Sequence, residues 1–463
     1  SENSSGETAF AGVPVLEEEK AKRNIRVGEI LDLRKANCKV FRMSDGSEQA
    51  VFYPEAVHVF HEDTKTFDDI DTTIIPEEDG KHYIGGNHNF TARFRCEEEN
   101  DELFSIESGM HKVCVSAKKN KKQKNKSVKP RAHNVNVKGL EKTALLTFED
   151  VHEGADYEYS VTGNGVKENI IVKEKADVYR YSFVIQQENV TAQLDENSNR
   201  ISFISNETGT EVFFIPTPFM TDANGAVSTA VTYELKSLTN GDAVLNVTAD
   251  SDWMNLQERA FPVTIDPQIQ LSGSAGMTTY SWDNGYLYSS SLHTIGMVGS
   301  GETVCYSPNR MYISFDVPSL PRNPRMKKAE LKFFQASGVS ECGEYPALGL
   351  YRVDDEISTG FCTPYADSNL IDFAKMQIGH CEDGEVINYT FDVTDLVDQI
   401  DKGESNASRL VLKMLDESCE ANNYVSLYGS TYSGEFAPQF IVTYESSYGV
   451  NTSYRTHSHQ LGC

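Results

Sequence analysis

Tryptophan is scarce in this 463-residue sequence, which holds only Trp253 and Trp282. Basic residues are a minority, 42 Lys and Arg against 69 Asp and Glu, leaving a net charge of −27. Such a surface repels phosphates and anionic headgroups, so nucleic acid is excluded as a generic partner. No window approaches the about 18 consecutive apolar residues of a spanning helix, so no membrane insertion is expected. The opening Ser1-Glu2-Asn3-Ser4-Ser5-Gly6 is polar, unlike a signal peptide, and reads as a mature or truncated end. None of the nine cysteines forms a C-x-x-C pair, which removes zinc ribbons and thioredoxin-like sites, and no metal is expected. Their odd number argues for buried free thiols, with at most one or two disulfides among Cys305, Cys342, Cys362, Cys381 and Cys419. The G-x-S-x-G elbow, the H-E-x-x-H helix, the Walker loop and the dinucleotide fingerprint are all missing. The expectation is a protein that is not an enzyme, with no catalytic residues and no cofactor.

What is present is β-patterned. Hydrophobic residues make up 39% and aromatics 10%, enough to build cores for several domains. Residues 1–115 read as an N-terminal β-rich segment, with one short helix near 15–26. Lys39 to Tyr53 forms two strand-like runs about Asp45-Gly46, a strong hairpin signal. Residues 116–137 read as a Lys-rich linker or loop, because the core KKNKKQKNKSVKP has almost nothing to bury. Strands return over 138–267, with turns at Gly163-Asn164-Gly165 and at Asp195–Asn199. The second turn lacks the glycine and distal glutamate of a calcium loop and reads as a polar hairpin turn. Over 268–446, Met311, Ile313 and Phe315 alternate with polar neighbours, as do Tyr389 and Phe391, Leu410 and Leu412, and Phe440 and Val442. Period two marks antiparallel strands with one buried face. A short helix follows at 394–401. The fold class expected is all-β, an N-terminal β-rich body followed by an antiparallel jelly-roll-like β-sandwich.

Several of these segments resemble a known family. They are Asp69-Ile70-Asp71, Thr162-Gly-Asn-Gly-Val-Lys-Glu168, Ile215-Pro216-Thr217-Pro218 with Met220 and Asp222, Ala249–Trp253, and Arg259-Ala-Phe-Pro-Val-Thr-Ile-Asp-Pro267. In this order they resemble the N-terminal regions of bacterial RHS (YD-repeat) wall-associated proteins. Arg310–Leu331, Asp392-Val-Thr-Asp-Leu-Val397 and Ala437–Tyr444 resemble a DNRLRE-type domain, which is similar to family-96 carbohydrate-binding modules. The entry strand that names those domains is reduced here to Trp282-Asp283-Asn284-Gly285-Tyr286. The resemblance implies a secreted or cell-wall-associated surface protein. It also implies that 447–463 is a linker to a missing downstream region, a YD-repeat shell of the same polypeptide.

Sugars bind by stacking C–H faces on aromatic rings while amides and carboxylates take the hydroxyls. The candidate ligand residues are Trp282, Tyr286 and Tyr288, in one Ser/Gly-rich segment, and Tyr312, on the polar side of its strand. Arg310 and Arg352 would add charge-assisted bonds to a uronate or phosphate. The leading reading is a non-catalytic region whose 268–446 module binds extracellular polysaccharide and folds when produced alone. Two others stay open: a structural scaffold or plug for the downstream shell, and a polysaccharide lyase or hydrolase.

Overall fold

The computed structural model describes residues 24–445, apart from 87, 97–100, 119–128, 138, 225, 273–276, 284, 301–304, 319–324, 343–346, 358–359, 379–385, 405–408 and 433–435. The protein is all-β. Among the described residues the only helices are the turns Leu31–Leu33 and Ser251–Met254 and the two-turn helix Thr394–Asp401. The last sits where the sequence places it. The helix expected near 15–26 falls largely outside the described residues, and Arg26 opens a strand.

One sheet curls into a nearly closed barrel. From one edge it runs Val231–Ser237, Ala243–Ala249, Arg180–Glu188, His111–Ala117, Glu102–Ser108, Thr91–Arg95, His82–Gly85 and Ile74–Pro76. It continues through Leu140–His152, Ala155–Val161 and Gly165–Val172, then branches to Val263–Asp266 and Gln268–Leu271. Glu211–Ile215, Arg200–Ser205 and Val190–Asp195 complete it. The two edges are joined by a side chain. Asn199, in the turn between the last two strands and at φ 50°, donates its amide to the Val231 carbonyl at 2.7 Å and accepts from Tyr233 N at 2.9 Å. Its amide thus reproduces the two bonds a neighbouring strand residue would make. Of the Lys-rich stretch 116–137, Arg131–Val137 is a strand paired with Leu140–Thr147, and 119–128 lie outside the described residues.

The second sheet folds over on itself as a sandwich. Its long strands Cys305–Phe315 and Met326–Ser340 change partners along their length, turning the corner between layers. Between the layers lie Met311, Ile313, Phe315, Leu331, Phe333, Phe391, Leu410 and Leu412, all fully buried or nearly so. The segment 1–115 contributes to both sheets. The Asp45-Gly46 hairpin forms as expected, Cys38–Met43 on Glu48–Phe52. Glu48–Phe52 then pairs with Gln439–Tyr444, placing Cys38, Val40, Ala50 and Phe52 in the sandwich core. The sandwich is therefore not contained in 268–446.

Cys342 and Cys419 form a disulfide across 77 residues, while Cys38 and Cys114 are buried thiols that burial pushes up to about 12. Cys381 lies outside the described residues.

Candidate functional site

The family-like segments meet inside the barrel and at the seam between barrel and sandwich. Asp222, from the segment that begins Ile215-Pro216, accepts from Arg259 Nη1 at 2.7 Å and from Ala260 N at 3.2 Å. Burial alone would raise its carboxyl. The N–H of Ala226 and the Arg259 guanidinium outweigh that and hold it below the ordinary range. The same guanidinium stacks 3.5 Å from the Trp253 ring centroid and donates to the Trp253 carbonyl. Lys167 reaches Asp266 at 3.4 Å and lies 5.4 Å from the Tyr432 ring. Gln268 and Gln270, both buried, donate to the carbonyl of Thr431, the former at 2.6 Å, and Thr217 bridges Ser290. The motifs thus fasten the barrel and dock the sandwich on it.

Along the same seam runs a groove. One arm, about 940 Å³, is lined by Trp253, Trp282, Asp250, Asp252, Asn309 and Tyr424, among others. A second arm, about 610 Å³, is lined by the Glu196–Asn199 turn, Thr232, Glu234 and Tyr286. Thr229, Asp283 and Tyr288 line both, so the two arms adjoin at Asp283. The walls come from both units. Trp253 is set by the turn helix Ser251–Met254, whose N-cap Asp250 accepts from Trp253 N at 3.1 Å. Trp282 sits on Met277–Asp283 and donates its indole N–H to the Cys362 carbonyl at 2.8 Å. The chain's two tryptophans therefore share one cleft.

The Asp283 carboxylate has no hydrogen-bond or ion-pair partner among the described residues, and burial raises it. Burial, reinforced by that carboxylate, pushes the neighbouring Tyr288 phenol up to about 12. Tyr286 is 44% exposed and packs edge-on against the exposed Phe361.

Of the six expected ligand residues, Trp282, Tyr286 and Tyr288 come together in the groove. Arg310 lies behind Trp282, 5.1 Å from its ring, and is held bidentate by Glu417 at 2.7 and 3.0 Å. Arg352 is engaged by Asp367 at 3.1 Å and Asp354 at 3.4 Å, outside the groove lining. Tyr312 is a correction. Expected on a solvated face, it is fully buried in a second small core with Leu287, Val353 and Val411, its hydroxyl directed at the Pro364 carbonyl at 3.4 Å. The connection leading to Tyr365 covers that face of the strand. Sequence reasoning missed Trp253, Asp283 and Tyr424; the Ala249–Trp253 segment carried a signal for the first only as a family motif. One set of ligand-type residues clusters among the described residues, Glu77, Asp79 and His82, but Arg93 Nε takes the Glu77 carboxylate at 3.2 Å.

No protein-family model matches the chain. Over 255 residues it is 27% identical to the tRNA nuclease WapA of Bacillus subtilis (strain 168), covering 54% of this chain and 11% of that protein. It is 20% identical over 204 residues to a Wall-associated protein of Geobacillus stearothermophilus, covering 44% of this chain and 78% of that one. The chain matches about a tenth of the length of the Bacillus relatives. Among solved structures, the tandem CBM22 domain of Paenibacillus barcinonensis Xyn10C covers 74% of this chain and 94% of its own, at 12% identity and a TM-score of 0.13. At that score the fold is read from the strand pairing itself.

Proposed function

We propose that this chain is a non-catalytic, wall-associated region of an exported RHS-type surface protein, and that the seam groove holds extracellular polysaccharide. The observation that carries the reading is the convergence of both tryptophans, Tyr286, Tyr288 and the partly buried carboxylate of Asp283 in adjoining arms of one solvent-accessible groove. Rings with fixed polar neighbours are what sugar faces and hydroxyls require. The similarity to wall-associated relatives supports a location outside the cell. The nuclease named for the Bacillus relatives is assigned to no residue here. The groove's described lining holds carboxylates and no Lys or Arg, the wrong field for a phosphate backbone. The test is retention of the full chain on insoluble cell-wall polysaccharide. Micromolar to millimolar affinity is expected, because a groove contacting a few sugar units retains little after ordering and desolvation costs. Tyr286→Ala should weaken retention with the melting temperature unchanged.

A second reading, the structural scaffold for a downstream YD-repeat shell, is favoured by the role of the family-like segments as seam fasteners. If no polysaccharide retains the intact chain, that reading stands and the groove is only the gap between two docked units.

A further inference from the structure

The groove's charge names a ligand class narrower than polysaccharide, an inference that rests on the reading above. Its lining carries Glu196, Glu234, Asp250, Asp252 and Asp283 and, among the described residues, no basic side chain. Glu234 is paired with Arg180 at 2.5 Å, and the other four have no ion-pair partner among the described residues. The arginines nearest the rings cannot supply one. Arg259 is committed to Asp222 and Arg310 to Glu417, each also pressed on the face of a tryptophan. A uronate or phosphate polymer entering here would meet an all-acidic lining, in which Asp283 is partly buried and so less screened than the exposed Glu196, Asp250 and Asp252. Asp283 sits where the two arms adjoin, and its carboxylate accepts no hydrogen bond from the described residues.

We propose that the groove binds an amine-bearing polysaccharide, with a hexosamine ammonium paired to Asp283 and sugar faces against Trp282 and Tyr288. An ammonium there supplies a countercharge and a donor that no described residue provides.

Both tryptophans line the cleft, so intrinsic fluorescence of the full chain reports on this site. The experiment titrates it with β-1,4-linked glucosamine oligomers, their N-acetylated counterparts and oligogalacturonate, in low and physiological salt. Glucosamine oligomers should bind about tenfold more tightly than the acetylated ones, and oligogalacturonate should not bind. Asp283→Asn, isosteric and uncharged, should remove the preference while keeping the affinity for acetylated oligomers. Equal or tighter binding of acetylated oligomers, or binding of oligogalacturonate, overturns the amine selection while leaving a glycan site in place. A preference that survives Asp283→Asn also overturns it, since the attraction would then belong to the net charge of −27. Silence towards all three in fluorescence, with no retention on wall polysaccharide, removes the glycan reading itself.

Discussion

Arg259 shows how much one side chain can carry. Its guanidinium is 4% exposed and Asp222 is 1% exposed, so neither charge has water to fall back on. Truncation leaves a buried carboxylate holding only backbone N–H partners and strips the cover from Trp253. Arg259→Ala should cost about 3–5 kcal/mol in chemical denaturation, the range for breaking a buried pair from one side. A loss below about 1 kcal/mol would mean that water reaches Asp222. Two other buried groups contribute to the pH response. Glu168, enclosed in the barrel, is raised to about 8 by burial, an effect strengthened by Asp266 and opposed by the Tyr159 hydroxyl at 2.6 Å. It is protonated in the native state and ionised in the unfolded one between about 4.5 and 8, so its linkage makes stability fall as pH rises through that window. His293, locked between Thr279 and Ser281 and fully buried, is lowered to about 3. It is neutral when folded and protonated when unfolded below about 6.5, so stability is lost as pH falls from there towards 3. Glu168→Gln should flatten the decline of the melting temperature from pH 5 to 8 and leave the acid limb in place. An unchanged alkaline slope would assign that decline to other groups.

At the level of elements, local chemistry was legible and partnership was not. Asp45-Gly46 and the alternation of Met311, Ile313 and Phe315 were readable, because turn chemistry and period two are encoded within a few residues. The pairing of Phe52 with Phe440 is not, since nothing local says which edge a hairpin will join. Alternation likewise told which side of its strand Tyr312 occupies, but not that a later connection would cover that side. The groove was half readable: Trp282, Tyr286 and Tyr288 adjoin in sequence, whereas Trp253 enters from another unit. Barrel closure by Asn199 is the clearest case of a missed element, being a turn residue that substitutes for strand pairing. Asn199→Ala removes both bonds and keeps an L residue at positive φ, where Asn is better tolerated. It should cost about 2–3 kcal/mol and speed amide exchange at Tyr233 above all. Unaltered protection of that amide would show that the edge strands hold without the turn.

Across the whole molecule, the sandwich depends on chain segments at opposite ends of the sequence. Glu48–Phe52 covers the edge of Gln439–Tyr444 over five paired positions, and Phe52 packs 6.1 Å from Phe440 beneath it. Removing everything before residue 268 strips those pairs, opens an edge and uncovers the core at Cys38, Val40, Ala50 and Phe52. Each larger side chain lost forfeits about 1.5–3 kcal/mol of burial, and together they rival the 5–15 kcal/mol that holds an ordinary domain. The unit 268–446 produced alone should therefore bind a hydrophobic dye and melt without a cooperative transition, whereas 24–446 melts cooperatively. The groove makes the same demand, because Trp253 and the Glu196–Asn199 turn lie before residue 268. A short module that melts sharply within a few degrees of the longer chain would show that the edge heals itself. If it also bound glycan as tightly, the barrel wall would be dispensable and the site would have to be sought on the sandwich alone.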